Sequence, residues 1–299
     1  MFEKLISWEM ALRGNGARAR AGKLIRRMWP DFRLSSFLLR TTGSVKQVTV
    51  NGKRMYVDLW DSAVSVHLFV AHTWEPEETS AISSRLKPGD VFVDVGANLG
   101  YFTLIASDAV GPGGKVFAFE PGPHNFSLLE KNVRINRCAN VICERKAVTE
   151  TNRTLELHLS SFNYGDHRIF RSHDDADYNR GRQRQSTTVA GVALDSYFPP
   201  GARVDFLKLD VQGAEYFALQ GMKRVLRDNP GVVVLMEFWP HALREAGVEP
   251  NALLDELEEL GFHCYRAEAE TIAPFPHAEI LQTSGDNSVN LVLSRRKLD

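Results

Sequence analysis

The chain has 299 residues, 43% of them hydrophobic, and 36 lysines and arginines against 37 aspartates and glutamates leave a formal net charge of −1. Such a chain can bury the core of one large α/β domain with an appendage, and its balanced charge argues against a nucleic-acid coat, so no nucleic-acid partner is expected. Cys138, Cys143 and Cys264 form no C-x-x-C pair, the start MFEKLISWEMAL lacks the apolar run of a secretory signal, and no window approaches the ~18 apolar residues of a membrane span; a soluble, cytoplasmic protein with reduced thiols is expected.

Residues 1–42 differ from the rest: Arg13, Arg18, Arg20, Lys23, Arg26 and Arg27 alternate with Trp8, Leu12, Leu24 and Met28. An accessory helix packed on the main domain or on a second copy of the chain is the plainer reading. A basic amphipathic helix on a membrane or an acidic partner is the other. Next come a hairpin (45–50 and 54–58) turning at Asn51-Gly52, a further strand at 63–70, and a short helix within 74–90 with Pro76 in its first turn. The expected division is an accessory region over 1–74 and a main domain over 75–299.

From there strands at 91–95, 115–119, 140–146, 204–209, 231–237, 262–267 and 289–294 alternate with helices near 100–109, 123–136, 213–227 and 250–260. That alternation predicts a parallel sheet with helices on both faces. It breaks over an insertion at about 150–195, where TLELHLS and STTVAGVALD read as two extra strands carrying a polar, mobile loop.

The run VFVDVGANLGYFTLIA at 91–106 is a strand, a glycine turn and a helix start. Gly96 and Gly100 allow backbone to approach a ligand closely. Glu120, twenty residues past Gly100, closes KVFAFE where a doubly wound sheet places an acid that accepts hydrogen bonds from a ribose diol. The dinucleotide fingerprint G-x-G-x-x-G is not met, because Asp94 replaces the first glycine. A carboxylate repels a pyrophosphate but suits the α-ammonium of an amino-acid-like cofactor. S-adenosylmethionine carries that amine, a ribose and an adenine. A nicotinamide-dependent oxidoreductase is therefore the disfavoured alternative, beside a non-catalytic cofactor-binding module whose N-terminal arm holds a membrane or partner.

Asp210 closes VDFLKLD, and Glu237 lies at the end of GVVVLMEF, at the sheet edge where open α/β folds bind ligands. Three readings stand for this pair: a catalytic base and its orienter, oxygen ligands for a divalent cation, or structure alone. Glu215 and His241 follow the two strands, and Glu215 in a first turn also offsets the helix dipole. Lys208 is placed to pair with an acid in the core. Arg171, Arg180, Arg182 and Arg184 read either as a clamp for an anionic substrate group or as a solvated run.

Taken in order, DVGANLGYFT, FEPGPHNFSLLEKN, SFNYGDHRI, FLKLDVQGAEYFALQGM and LMEFWP resemble the FkbM family of S-adenosylmethionine-dependent methyltransferases over roughly residues 75–294. The resemblance implies a Rossmann-like class I methyltransferase fold, a seven-stranded mostly parallel sheet whose last strand runs antiparallel. It also implies O-methylation of a hydroxyl on a sugar, glycan or polyketide-like natural product, a small-molecule partner. Cofactor contacts carry over to Asp94, Gly96, Ala97, Asn98 and Gly100, to Glu120 and Pro121, and to Ala147 and Asp210. Asn163, Asp166, His167 and Arg168 are expected on the acceptor side. For acceptor activation Asp210 and Glu237 come first, with Glu215 and His241 behind them.

Overall fold

A computed structural model describes residues 43–171, 184–267, 272–284 and 287–298. The basic N-terminal arm, and Arg180 and Arg182, lie outside the described residues. Strands β1 (Val45–Val50) and β2 (Lys53–Asp58) form the expected hairpin, with Asn51 and Gly52 both left-handed at φ 47 and 75, as a two-residue type I′ turn requires. The segment expected as a strand at 63–70 is instead helix α1 (Val64–Ala71). Its alternating valines suggest a strand, but Asp61 ties down the first turn: Oδ1 accepts the N–H of Ala63 at 3.1 Å and Oδ2 that of Ser65 at 2.8 Å.

Helix α2 (Pro76–Arg85) leads into β3 (Val91–Val95), α3 (Tyr101–Val110), β4 (Lys115–Phe119), α4 (Pro123–Ile135) and β5 (Val141–Glu144). The insertion supplies β6 (Lys146–Val148), β7 (Thr154–Leu159) and β8 (Gln185–Val192), which form a separate three-stranded sheet with β8 in the middle. Then follow α5 (Leu194–Tyr197), β9 (Phe206–Leu209), α6 (Glu215–Gln220), α7 (Lys223–Asp228), β10 (Val233–Phe238), α8 (Pro240–Glu245) and α9 (Pro250–Glu259). The described chain closes with β11 (His263–Ala267), β12 (Ile272–Pro274), α10 (His277–Ser284) and β13 (Val289–Ser294).

The main sheet runs β12-β11-β13-β10-β9-β3-β4-β5. Five neighbours from β10 to β5 are parallel, and β13 lies antiparallel between β10 and β11. This is the Rossmann-like arrangement expected, with short β12 added as an eighth strand. The chain winds outward from β3 to β4 and β5, then returns to β9 on the other side. A crevice therefore opens at the carboxyl ends of β3 and β9.

The helix expected over 213–227 is two helices, α6 and α7. At the break, Gly221 packs so tightly on the backbone after β6 that a Cβ would sit 2.1 Å from the Thr149 carbonyl oxygen. The Gly221 carbonyl accepts the N–H of Asp195 (2.8 Å), while the Asp195 carboxylate accepts the N–H groups of Arg224 and Val225 (both 2.9 Å) and restarts the helix.

Each face of the sheet has a core. Val95, Leu209, Met236 and Leu254 belong to one, Phe92, Leu104, Val116 and Phe206 to the other. The hairpin residues Val50, Met55 and Val57 merge with the second core. Asn132 of α4 fastens the hairpin there: Oδ1 accepts the Tyr56 N–H (2.6 Å), and Nδ2 donates to the carbonyls of Tyr56 (3.1 Å) and Leu99 (2.8 Å). Asn132 is fully buried, so Asn132→Ala should lower stability by about 2–3 kcal/mol by stranding these backbone groups. A shift in the urea midpoint measures it, and an unchanged midpoint contradicts it. No described helix is long and apolar enough to cross a membrane.

Candidate active site

The loop after β3 has three left-handed residues at alternate positions, Gly96 (φ 88), Asn98 (φ 50) and Gly100 (φ 95). The chain is so tightly folded that its N–H groups are spent internally. Those of Gly96 and Ala97 both donate to the Phe119 carbonyl (3.0 Å), Asn98 to Glu120 Oε2 (2.9 Å), Leu99 to Asn98 Oδ1 (2.7 Å) and Gly100 to the Ala97 carbonyl (2.9 Å). A pyrophosphate held by this loop would need those same donors.

Glu120 stands just beyond the end of β4. Its Oε1 accepts the Gly122 N–H at 2.7 Å, so the carboxylate clamps two backbone segments, and each oxygen keeps a second acceptor direction. Burial pushes this carboxyl up to about 7, against the pull of the two amides. Asp94 is fully buried beneath the loop; Oδ2 accepts the Thr103 hydroxyl at 2.6 Å, while Oδ1 has no hydrogen-bond partner. Burial raises the Asp94 carboxyl, opposed by Lys208, its register partner on β9.

A cavity of about 240 Å³ opens over these strand ends. Gly96, Ala97, Asn98, Glu120, Pro121 and Ala147 line it on one side. Asn163 and His167 reach it from the insertion. The Asn163 side chain accepts the Gly165 N–H (3.1 Å) and so also shapes its own turn. His167 Nδ1 accepts the Ser160 N–H (3.1 Å), and burial lowers the ring to about 4, so it is neutral at physiological pH with its proton on Nε2. This wall is sewn to the segment before α1. The Asp61 carboxylate accepts the Tyr164 N–H (3.1 Å), and the Ser62 N–H and hydroxyl both donate to the Phe162 carbonyl (2.7 and 2.8 Å).

Opposite, the ends of β9 and β10 bring carboxylates together. Lys208 Nζ lies 2.8 Å from Asp210 Oδ2, and the Gln212 amide bridges Asp210 Oδ1 (2.8 Å) and Glu237 Oε2 (3.0 Å). Burial would raise Asp210, but the Lys208 charge together with the hydrogen bonds from Lys208, Gln212 and Glu237 overcomes it and holds the carboxyl below its ordinary range. Glu237 is raised well above the usual carboxylate value, by burial and then by the charges of Asp210 and Glu215. The two carboxyls are thus pushed in opposite directions, Asp210 toward its ionised form and Glu237 toward its protonated one.

Several expected site residues lie outside the cavity wall, among them Asp94 and Gly100, which belong to the loop region but do not line the cavity. Glu215 is fully buried under the turn after β9, where its Oε1 accepts the N–H groups of Val211 (2.9 Å) and Gly213 (3.2 Å), and burial pushes it up to about 7. His241 sits on α8, its ring 6.2 Å from that of Trp239. Asp166 and Arg168 pair with each other at 2.6 Å behind the wall, with Arg184 on the other Asp166 oxygen at 2.7 Å and Trp239 facing the Arg168 guanidinium at 5.0 Å. Arg171 is exposed, 3.9 Å from Glu156. Gln212, Trp74 and Glu75 line the cavity without having stood out in the sequence. For Gln212 the signal was its place between a strand-end acid and Gly213. Among the described residues, no group of three or more His, Cys, Asp or Glu is arranged to hold a metal ion.

Against known proteins, the profile of the Methyltransferase FkbM domain matches residues 94–264. Methyltransferase sdnD of Sordaria araneosa is 26% identical over 211 residues, covering 62% of this chain and 79% of that protein. The 31-O-demethyl-FK506 methyltransferase FkbM of Streptomyces tacrolimicus is 46% identical over 62 residues, covering 18% of this chain and 24% of that protein. Among solved structures, Methyltransferase FkbM from Methylobacillus flagellatus KT superposes with a TM-score of 0.44 at 14% identity, over 73% of this chain and 50% of that one. With more than half of its length matched by that domain profile, the chain belongs to the FkbM family of methyltransferases.

Proposed function

We propose that the protein is an S-adenosylmethionine-dependent O-methyltransferase whose acceptor is a hydroxyl of a sugar, glycan or polyketide-like natural product. The observation that carries the cofactor reading is the loop over 96–100, whose amides are all engaged and leave nothing there for a pyrophosphate. What remains around it suits an amino-acid nucleoside: Glu120 for the ribose diol, the orphan oxygen of Asp94 beneath the loop for a donor such as an ammonium, and Pro121 and Ala147 as apolar wall for a base. Bound there, the cofactor supplies an electrophilic methyl group.

The chain's own task is to hold the acceptor. Asp210, ionised and fixed by Lys208 and Gln212, is ready to take the hydrogen bond of an acceptor hydroxyl, and Glu237 lies across Gln212 from it. Support for oxygen as the acceptor atom comes from the similarity to the 31-O-demethyl-FK506 methyltransferase FkbM of Streptomyces tacrolimicus.

Calorimetric titration with S-adenosylhomocysteine, and in parallel with oxidised and reduced nicotinamide cofactors, tests the reading. S-adenosylhomocysteine alone is expected to bind, and Asp94→Ala or Glu120→Ala should weaken it roughly 10- to 100-fold, the loss of a charge-assisted hydrogen bond. A preference for a nicotinamide, or no binding of any of them, overturns it. Mass spectrometry of hydroxylated sugars and macrolides incubated with the methyl donor then identifies the acceptor class.

A further inference from the structure

The least expected part of the cavity wall is the turn Trp74-Glu75-Pro76. Glu75 has φ 40 and ψ 75, a left-handed backbone uncommon for any residue but glycine, directly ahead of the proline that opens α2. Thr79 holds the turn: its N–H donates to the Glu75 carbonyl (2.9 Å) and its hydroxyl to the Trp74 carbonyl (3.0 Å). The strained turn sets a half-buried carboxylate in the cavity wall, with the Trp74 side chain hydrogen-bonded to it.

The other cavity carboxylates already have duties. Glu120 clamps two amides, Asp210 is held by Lys208 and Gln212, and Glu237 by Gln212. The two ammonium groups of the wall are engaged as well, Lys208 by Asp210 and Lys146 by Glu144 at 2.7 Å. Four carboxyls thus face two committed cations, and Glu75 is the one left to meet a positive charge brought by a ligand.

We infer that Glu75 is a specificity-determining residue that distinguishes the charged methyl donor from its spent, uncharged thioether, its carboxylate serving as counter-charge to the sulfonium. This rests on the S-adenosylmethionine reading above. In balanced form, the Glu75 carboxyl gives its proton to solvent as the cation enters and takes one back once the ligand is neutral, which loosens the product. The groups facing Glu75 make that exchange available near neutrality. Burial, then the charge of Asp210, and Glu78 on its own helix raise the carboxyl to about 8 against the pull of Lys208; Glu237 of β10, itself raised in part by the charge of Glu75, and Tyr101 of α3 share the wall.

Calorimetry at pH 7 in phosphate and in Tris, buffers of contrasting ionisation enthalpy, counts the protons released. The wild type should release about one proton more on binding S-adenosylmethionine than on binding S-adenosylhomocysteine. In Glu75→Gln that difference should vanish and affinity for the donor fall about tenfold, while affinity for S-adenosylhomocysteine stays within about twofold; Glu75→Asp should keep most of the preference. Equal proton release by the two ligands in the wild type, or equal weakening of both in Glu75→Gln, overturns the inference and leaves the cofactor reading standing. Failure of both ligands to bind the wild type overturns the cofactor reading and this inference with it. Should Glu75→Gln not fold, the wild type decides: the ratio of donor to product affinity must rise with pH to about 8 and level off, and a flat ratio overturns the inference.

Discussion

Gly96→Ala is expected to cost about 2–4 kcal/mol of stability and to abolish S-adenosylhomocysteine binding. The added Cβ would lie 1.9 Å from the Asp210 carbonyl oxygen and 2.9 Å from its carbon, backbone atoms that have no flexible side-chain end to yield. Residue 96 also stands at φ 88, which alanine resists. The collision falls where the Asp210 N–H donates to the Val95 carbonyl at 3.0 Å, so relief requires prising β3 from β9 at the mouth of the cavity. Urea unfolding and calorimetry read the two effects, and a variant with wild-type midpoint and affinity would contradict this account of the crevice.

Lys208→Met should cost about 3–5 kcal/mol near neutral pH, because it removes one partner of a buried ion pair and leaves the other behind. The Lys208 side chain is 5% exposed and faces Asp210, with Asp94 and Glu75 also in its field. Asp210 is 27% exposed, which places the expectation toward the lower end of that range. The sign with pH follows from the direction of the Asp210 shift. In the wild type its carboxyl is held below the ordinary value, so its stabilisation is complete above the usual carboxylate range and fades as pH falls through the depressed value. Without Lys208, burial prevails and the carboxyl rises, so the unpaired charge disappears on mild acidification. The gap between variant and wild type should narrow from pH 8 toward pH of about 4.5, where carboxylates begin to protonate. A gap that widens on acidification would mean that Lys208 does not serve these acids.

The parts of the site that could be read in the sequence are those built from neighbours along the chain. Gly96, Asn98 and Gly100 announce a tight turn between a strand and a helix because turn geometry is local, and Glu120 is legible because each βα unit has a nearly fixed length. What could not be read depends on distant partners. The break at Gly221 exists because the Thr149 backbone lies against it, and a helical period continues across it in the sequence. The segment 64–71 has strand-like alternation, and only the capping carboxylate of Asp61 decides for a helix, a signal outweighed by three valines. Asp166 and Arg168 stand out as a motif, yet their closing partner Arg184 comes 18 positions after Asp166 in the sequence. Glu75 carries no periodic signature at all, since its place in the wall comes from one unusual backbone angle.

The seam formed by Asp61, Ser62, Phe162 and Tyr164 bears on how new acceptors could be recruited. The segment near residue 61 and the insertion loop are about a hundred positions apart, yet three hydrogen bonds sew them into one wall. Transplanting the insertion alone from a relative would bring a new edge without its matching half, leaving the Asp61 carboxylate and the Ser62 hydroxyl facing a foreign backbone. Successful grafts should therefore exchange both segments together, so that each hydrogen bond of the seam keeps its matching half.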